Sequence, residues 1–288
     1  MRFQFQKMHG CGNDFLIYDQ MKEVEVSPFK KQEIQFLCDR HFGVGADGFV
    51  ILARGGNSTH AVWKFFNSDG SEAEMCGNAA RCAVRYLTDH YFPEEEVISI
   101  ETIAGVIKGK VNADLGGVEV TLFSRGDSKP EFVEKIIRSD EEVVRCYCIN
   151  TGVPHAVIEV KDLRRTAISK IGKFVMHHPA FQPELTNVTF FQQRVGPQIM
   201  ATTYERGVEA ETLGCGTGAA AAALVFSELY MQPLPVTVAM PGGTIFVDAS
   251  TVAKRLLLRG DAEYITTAHV DDIPGDFEPR LPYEGSVG

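Results

Sequence analysis

Two segments of the sequence place a cysteine directly before an alanine-rich helical pattern. They are Met75-Cys-Gly-Asn-Ala-Ala80 and Gly214-Cys-Gly-Thr-Gly-Ala219, and their cysteines, Cys76 and Cys215, lie about 139 positions apart. A thiol at a helix N-terminus faces the positive end of the helix dipole and unpaired backbone N–H groups. Because both favour the thiolate, we expect a lowered pKa at each cysteine.

Two such thiols facing each other suit inversion at a carbon atom. One would remove a proton as thiolate, and the other would deliver a proton as thiol to the opposite face of a small molecule. The N–H groups after each cysteine would stabilise the charge that develops on a neighbouring carboxylate. This chemistry needs no electron sink, and no lysine lies beside a recognisable phosphate cup for pyridoxal phosphate. We therefore expect no cofactor.

The elements that position these cysteines are mostly short strands. Apolar stretches punctuated by Gly, Asn, Asp or Pro predict strands at 15–18, 49–53, 61–66, 97–100, 118–123, 156–160, 187–191, 236–239 and 256–258. Helical patterns are fewer, at 28–41, 78–91 and 217–230. Because the cysteine segment occurs twice, we predict an α+β chain of two related, strand-rich lobes that face each other across a cleft.

We place the first lobe, with Cys76, at residues 1–124 and the second, with Cys215, at 125–261. The C-terminal segment, about 262–288, is expected to return to the first lobe. The polar stretch 124–140 reads as the connector. The Pro- and Gly-rich stretch 273–288 reads as a solvated tail.

Composition excludes several classes of function. The chain has 288 residues with 28 basic and 38 acidic side chains, a net charge of −10, so neither nucleic acid nor an anionic membrane is an expected partner. No apolar run approaches the ~20 residues of a membrane-spanning helix. Seven sparse cysteines and a start without a signal-peptide core predict reduced thiols in the cytoplasm. Their spacing offers no CxxC pair, so we expect no metal.

Five motifs, taken together in this order, resemble those of the diaminopimelate epimerase family. They are Lys7-Met-His-Gly-Cys-Gly-Asn-Asp-Phe15, Phe66-Asn-Ser-Asp-Gly-Ser71, Met75-Cys-Gly-Asn-Ala-Ala-Arg-Cys82, Tyr204-Glu-Arg-Gly207 and Gly214-Cys-Gly-Thr-Gly-Ala219. The resemblance implies two pseudo-symmetric lobes, each wrapped around a central helix. It also implies a cofactor-independent epimerase that converts L,L-2,6-diaminopimelate to the meso form for lysine and peptidoglycan synthesis, and a homodimer.

The resemblance also implies a role for each matching residue. Cys76 and Cys215 would be the acid and base, with Cys76 taking the proton from the L,L substrate, while Glu205 and His155 would lie near the thiols. The substrate contacts would be Asn13, Asn67, Gly77, Asn78, Asn187, Glu205, Arg206, Gly216 and Thr217. Of these, Gly77, Asn78, Gly216 and Thr217 would hold the reacting carboxylate, and arginine is suited to gripping a carboxylate with two hydrogen bonds.

Three positions depart from the family pattern. Val153 stands where many members have an asparagine for the far carboxylate, and Gly48 stands where many have glutamine. Thr266 aligns with a tyrosine of the family's dimer contact. Substrate recognition and dimerisation are therefore less firmly implied than catalysis.

Two alternatives remain open. A racemase of another amino acid on the same fold would use the same cysteines with a different far pocket. A redox- or ligand-sensing protein would instead join the cysteine pair in a disulfide and would not need Arg206. Substrate affinity after loss of Arg206 distinguishes the second alternative from an epimerase.

Overall fold

The computed structural model describes residues 2–23, 29–56, 58–122, 131–139, 142–249 and 255–278. The strands are β1 (Phe3–Gly10), β2 (Asn13–Gln20), β3 (Gly48–Arg54), β4 (Ala61–Asn67), β5 (Ile98–Thr102), β6 (Gly105–Val111), β7 (Val118–Leu122), β8 (Val133–Arg138), β9 (Val143–Asn150), β10 (Pro154–Glu159), β11 (Asn187–Gln193), β12 (Gln198–Glu205), β13 (Ala210–Thr212), β14 (Val236–Met240), β15 (Gly243–Ala249), β16 (Leu256–Gly260) and β17 (Glu263–Val270). The α-helices are α1 (Lys31–Cys38), α2 (Gly77–His90), α3 (Ile168–Met176) and α4 (Gly216–Leu229).

The strand order is symmetric about one central pair. From one edge to the other it runs β17-β1-β2-β3-β4-β5-β6-β7-β16-β15-β14-β12-β11-β10-β9-β8, with β13 added to β12. The antiparallel pair β7 and β16 forms the centre. Each strand on one side therefore has a counterpart on the other, from β6 and β15 out to β17 and β8.

The helices obey the same symmetry. The helix α1 links the parallel strands β2 and β3, as α3 links β10 and β11. The helix α2 links the parallel strands β4 and β5, as α4 links β12 and β14. The predicted α+β architecture of two related lobes, each around a central helix, is confirmed.

The central helices α2 and α4 begin side by side. Their alanines are strong helix formers, and Ala79, Ala80 and Ala219–Ala223 are fully buried. A Cβ atom on Gly216 would lie 3.9 Å from Cα of Gly77, so the two glycines let the helix N-termini approach closely. Residues of both helices share one hydrophobic cluster, whereas α1 and α3 pack with separate clusters. The core thus fixes the helix starts relative to each other.

Three predictions about local structure are wrong: the helix at 28–41, the connector at 124–140 and the described part of the solvated tail at 273–288. The helix predicted at 28–41 spans only Lys31–Cys38 in the described residues, because the chain turns at Asp39 and brings Gly43 against the Phe36 carbonyl. The connector predicted at 124–140 contains the strand β8, whose side chains are mostly exposed although half of them are apolar. Within that stretch, 124–130 and 140 lie outside the described residues.

The C-terminal stretch is only partly described, and that part is not a solvated tail. Ile273 packs against the hydrophobic cluster of α1, and the ring centroids of Phe277 and Phe36 lie 5.4 Å apart. The solvated tail is therefore corrected for 273–278, whereas 279–288 lies outside the described residues.

The strand β17 returns to the beginning of the chain and pairs antiparallel along β1, from Phe3 opposite Val270 to His9 opposite Glu263. On this pairing we propose the lobe boundaries 1–124 with about 262–288, and 125–261. Within the described ranges, no helix has the length and apolar character needed to cross a membrane.

Candidate active site

In the first lobe, one edge of the sheet gathers three of the singled-out residues. Because β2 and β3 are parallel, their first residues, Asn13 and Gly48, lie at the same edge. The strand β4 runs the other way, and its last residue, Asn67, pairs with Gly48. Asn67 is exposed, and its Nδ2 donates to Ser71 Oγ over 3.0 Å.

The second lobe repeats this arrangement. His155 in β10 pairs with Asn187, the first residue of β11, and β12 ends at Glu205 on the same edge. Asn187 Oδ1 accepts the backbone N–H of Arg206 over 2.9 Å. The symmetry of the sheet therefore gives each lobe a matching set of polar residues at the ends of its strands.

Each cysteine occupies the N-cap position of a central helix, in extended backbone conformation. The N–H of Gly218 donates to Cys215 Sγ over 3.3 Å, whereas the Cys76 side chain accepts no capping hydrogen bond from α2. Cys76 is half-buried and Cys215 is 8% exposed. Two thiols thus flank the meeting point of Gly77 and Gly216.

The lowered thiol pKa values expected from the helix N-termini are wrong for this closed site. Burial raises the pKa of Cys76 and of Cys215 above the usual value, because a thiolate loses its hydration there. The N–H donors lower both pKa values but do not outweigh burial. Both groups are therefore thiols near neutral pH before substrate binds.

Glu205 lies close to both thiols. Its carboxylate lies near the Cys215 thiol, and it accepts a hydrogen bond from Thr212 Oγ1 over 2.6 Å. Burial raises the pKa of Glu205, while its negative charge contributes to the raised pKa of Cys76 and Cys215. A carboxylate in this position can accept and release a thiol proton.

A chain of hydrogen bonds runs behind Cys215. His155 Nε2 and Thr217 Oγ1 are 3.0 Å apart, and Thr217 Oγ1 is 3.4 Å from Cys215 Sγ. His155 Nδ1 is 3.0 Å from Thr189 Oγ1. Burial, with Arg206 nearby, lowers the pKa of His155 to about 3, so its ring is neutral at physiological pH. A neutral ring has one donor and one acceptor nitrogen, so one of the two threonines donates to the ring and the other accepts from it.

The Asn78 side chain connects the two cysteine segments. Its Nδ2 donates to Asn13 Oδ1 over 3.0 Å and to the Gly214 carbonyl over 2.9 Å, and its Oδ1 accepts from Arg81. Both Nδ2 hydrogens are therefore used within the protein. Only the backbone N–H of Asn78 remains suited to the carboxylate-binding role implied by the resemblance.

The structure adds residues for which the sequence offered no distinct signal. Thr189, Thr203 and Thr212 hold His155, each other or Glu205, but threonine is common in strands. Asp47 Oδ2 accepts from Asn13 Nδ2 over 2.9 Å, although its Gly-rich motif indicates only a turn. In the described part of the chain, no group of three or more His, Cys, Asp or Glu residues could hold a metal ion.

The chain is similar to known proteins over most of its length. The diaminopimelate epimerase family model matches residues 5–125 and 147–265. The diaminopimelate epimerase of Aquifex aeolicus (strain VF5) is 41% identical over 268 residues, 89% of this chain and 94% of that protein. That of Trichodesmium erythraeum (strain IMS101) is 33% identical over 279 residues, 93% and 99% of the two chains.

Two solved structures share the fold at low sequence identity. A PhzF-family phenazine biosynthesis protein of Bacillus anthracis has a TM-score of 0.70 at 13% identity, covering 94% of this chain and 99% of its own. A hydroxyproline epimerase of Agrobacterium vitis has a TM-score of 0.67 at 15% identity, covering 93% and 92%.

Proposed function

The chain belongs to the diaminopimelate epimerase family of isomerases, as its motifs predicted, and from that premise we propose that it interconverts L,L- and meso-2,6-diaminopimelate without a cofactor. The observation that carries this proposal is the pair of N-cap cysteines, Cys76 and Cys215, at two helix N-termini that meet in the cleft. Such a pair can hold a planar carbanion between two proton donors.

The reaction begins with one thiol as thiolate. In the direction from L,L, the C–H bond at the α-carbon breaks, its proton passes to Cys76, and the electron pair delocalises into the α-carboxylate. The S–H bond of Cys215 then breaks and its proton adds to the opposite face of the carbon. Cys76 ends as thiol and Cys215 as thiolate, so the return reaction uses the same two groups in exchanged roles.

The substrate itself supplies a charge that favours the thiolate. Its α-ammonium is a positive charge beside two thiols of raised pKa, and a nearby positive charge lowers the pKa of a thiol. Glu205, whose carboxylate lies near both thiols, is the group suited to accept the proton of whichever thiol becomes the base, Cys76 in the direction from L,L and Cys215 in the return direction. His155 acts through Thr217 on Cys215 and is held neutral by burial.

Backbone N–H groups at the two helix starts support the role of holding the reacting carboxylate. Gly77 and Gly216 have no side chain to block access, and Asn78 and Thr217 follow them. Aligned N–H groups and helix dipoles stabilise an anion without reorganising during the reaction. Arg206 is the proposed partner of the far carboxylate, with Asn13, Asn67 and Asn187 around the rest of the substrate.

We extend the proposal to a homodimer in the cytoplasm. The strand β17 pairs only with β1 among the described strands, and Tyr264 and Ile265 on it are 37% and 48% exposed. An exposed edge strand with apolar side chains is suited to pairing with a second chain. The cytoplasmic location follows from the reduced cysteines that the sequence predicts.

A racemase of another amino acid is the second candidate, and one observation favours it. A Cβ atom on Gly48 would lie 2.8 Å from Cε2 of Phe65 and 3.0 Å from the Phe66 carbonyl. The glutamine that many family members have at this position therefore has no room here without movement of the neighbouring strand. The pocket for the far end of the substrate must differ accordingly.

Chromatographic separation of diaminopimelate stereoisomers tests the proposed function. Purified, reduced protein is incubated with L,L-diaminopimelate or with alternative L-amino acids, and no cofactor is added. We expect the meso isomer to accumulate until the two isomers reach equilibrium. Inversion of another amino acid alone would establish the second candidate instead.

A further inference from the structure

Arg81, on α2 behind Cys76, is completely buried. Its Nη2 donates to Asn78 Oδ1 over 2.8 Å and lies 3.5 Å from Cys11 Sγ, while its Nε donates to the Asp261 carbonyl over 3.0 Å. These three partners come from α2, from the turn between β1 and β2, and from the turn between β16 and β17. One guanidinium thus joins distant parts of the chain.

Arg81 contacts the turn between β1 and β2, which we call the Cys11 turn. Cys11 has a positive φ of 54°, an uncommon conformation for a residue with a side chain. Asp261 Oδ1 accepts its backbone N–H over 2.7 Å and its thiol over 3.1 Å. Hydrogen bonds from Cys11 to Asp261 therefore hold the turn in this conformation.

Glycines of the second lobe let the Cys11 turn approach closely. A Cβ atom on Gly242 would lie 2.0 Å from the Cys11 carbonyl oxygen, and one on Gly214 would lie 2.8 Å from that oxygen and from Cys11 Cβ. Gly214 directly precedes Cys215. The turn of the first lobe therefore lies against the segment that carries the catalytic thiol of the second.

The surroundings of the buried Arg81 guanidinium do not favour a role in stability alone. Among the described residues, its buried Nη1 has no hydrogen-bond partner, and the Asp261 carboxylate is connected to Nη2 only through Cys11 Sγ, which lies 3.1 Å from Asp261 Oδ1 and 3.5 Å from Nη2. Burying a charge without a close counter-charge is unfavourable. A site that retains such a group is expected to use it.

We propose that Arg81, together with Cys11 and Asp261, is a positioning unit that keeps the two thiols aligned across the cleft. Arg81 orients Asn78, and Asn78 in turn holds the Gly214 carbonyl beside Cys215 and Asn13 beside Cys76. Asp261 fixes the turn against which Gly214 packs. This inference rests on the proposed two-thiol reaction, and the three residues of the unit are not proposed to touch the substrate.

Alignment affects the second proton transfer in a way that can be measured. When Cys215 is in place, the carbanion is protonated on the opposite face at once, so each α-hydrogen lost to solvent corresponds to one inversion. When Cys215 is displaced, the carbanion persists while Cys76 exchanges its proton with solvent and returns it to the same face. Exchange then exceeds inversion.

The test uses Arg81→Lys, with Arg85→Lys as matched control one turn further along α2. Lysine keeps the charge but cannot donate to Asn78 and Asp261 in the geometry of a guanidinium. Arg85 is partly exposed and pairs with Asp89. In D2O with L,L-diaminopimelate, we measure kcat per folded molecule, KM, and the ratio of α-hydrogen exchange to inversion.

For Arg81→Lys we expect kcat to fall about 10- to 100-fold, KM to change less than about threefold, and the ratio to rise above one. Arg85→Lys should match the wild type. A fall in kcat with an unchanged ratio assigns Arg81 a structural role and overturns the proposal, as does an unchanged kcat. Asp261→Asn, expected to shift both quantities in the same direction, decides the matter if Arg81→Lys does not fold.

Exchange and inversion measured on the wild-type protein distinguish a failure of this proposal from a failure of the proposed function. If it exchanges no α-hydrogen, the two-thiol reaction on diaminopimelate is wrong. If it exchanges and inverts normally while Arg81→Lys behaves as wild type, only the role of Arg81 is wrong.

Discussion

At the scale of single residues, the environment of the two thiols disfavours the thiolate form that the proposed reaction needs. Burial raises the pKa of Cys76 and Cys215, whereas the helix N–H groups lower it. A site that keeps both groups as thiols until a cationic substrate enters limits the time for which either is a reactive thiolate. In the proposed reaction, the substrate ammonium therefore contributes to catalysis, because its positive charge favours the thiolate that removes the proton.

His155 gives a prediction for the pH dependence of stability. Its folded pKa is about 3 against an ordinary value of 6.5, so only the unfolded chain gains a proton between those values. Stability from this group is complete above pH 6.5 and is lost as the pH falls towards 3, by at most about 1.4 kcal/mol per pH unit. We expect His155→Asn to reduce the acid sensitivity of the free energy of unfolding.

Urea unfolding at about pH 6.5 and about pH 4.5 measures this effect. The stability loss between these values should be smaller by about 2 kcal/mol in His155→Asn than in wild type. The control is His41→Asn, at an exposed position. An equal loss in His155→Asn and wild type would show that the buried ring does not govern this pH range.

Arg206 gives a prediction for substrate affinity. Replacing it with alanine removes the proposed charged hydrogen bonds to the far carboxylate, and we expect KM to rise about 10- to 100-fold. Arg194→Ala is the control, since Arg194 is an exposed arginine of the same lobe outside the proposed site. Unchanged binding in Arg206→Ala would contradict the assignment and favour a cysteine pair with a sensing role.

At the scale of elements, glycines determine how closely the lobes approach. Gly242→Ala would place a Cβ atom 2.0 Å from the Cys11 carbonyl oxygen, which is backbone and cannot move alone. We expect it to lower the free energy of unfolding by about 3 kcal/mol. Gly56→Ala, with no atom within 4 Å of its Cβ, should change stability little. Equal stabilities in denaturant titrations would contradict this packing.

The helices at the site were predictable because local chemistry defines them. Those predicted at 78–91 and 217–230 are Gly77–His90 and Gly216–Leu229, since Cys-Gly marks each start and alanine continues each helix. Eight of the described strands were not predicted, namely β1, β6, β8, β9, β12, β13, β15 and β17. Two of them, β8 and β17, have mostly exposed side chains that lack an apolar alternation. Pairing with a distant partner determines such strands, and sequence periodicity does not record it.

The residues of the candidate site likewise differ in how far the sequence alone could predict them. Cys76 and Cys215 were proposed from residue type and spacing, whereas Asn13, Asn187 and Arg206 were proposed only through the resemblance to the family. The saturated side chain of Asn78 and the thiol pKa values depend on burial and on contacts between the lobes. Neither is encoded in any single segment.

At the scale of the whole molecule, β17 pairs with the first strand of the chain and is an edge strand among the described residues. If this edge forms the proposed homodimer, Ile265→Lys should yield folded monomers, because a charge would be buried at the interface. Val195→Lys is the control, at a valine that is 93% exposed in the turn between β11 and β12. Sedimentation equilibrium measures both. A wild-type monomer, or a dimer unaffected by Ile265→Lys, would contradict this interface.

The symmetry of the sheet also gives the two cysteines corresponding positions in the two lobes. The central claim of the proposed function is that their thiols act on opposite faces of one carbon. Proton NMR in D2O with L,L-diaminopimelate tests it most directly, comparing wild type with Cys76→Ala and Cys215→Ala. We expect the wild type to invert the α-carbon with loss of its hydrogen signal, and neither variant to invert it. Continued inversion by either folded variant would contradict the two-thiol account.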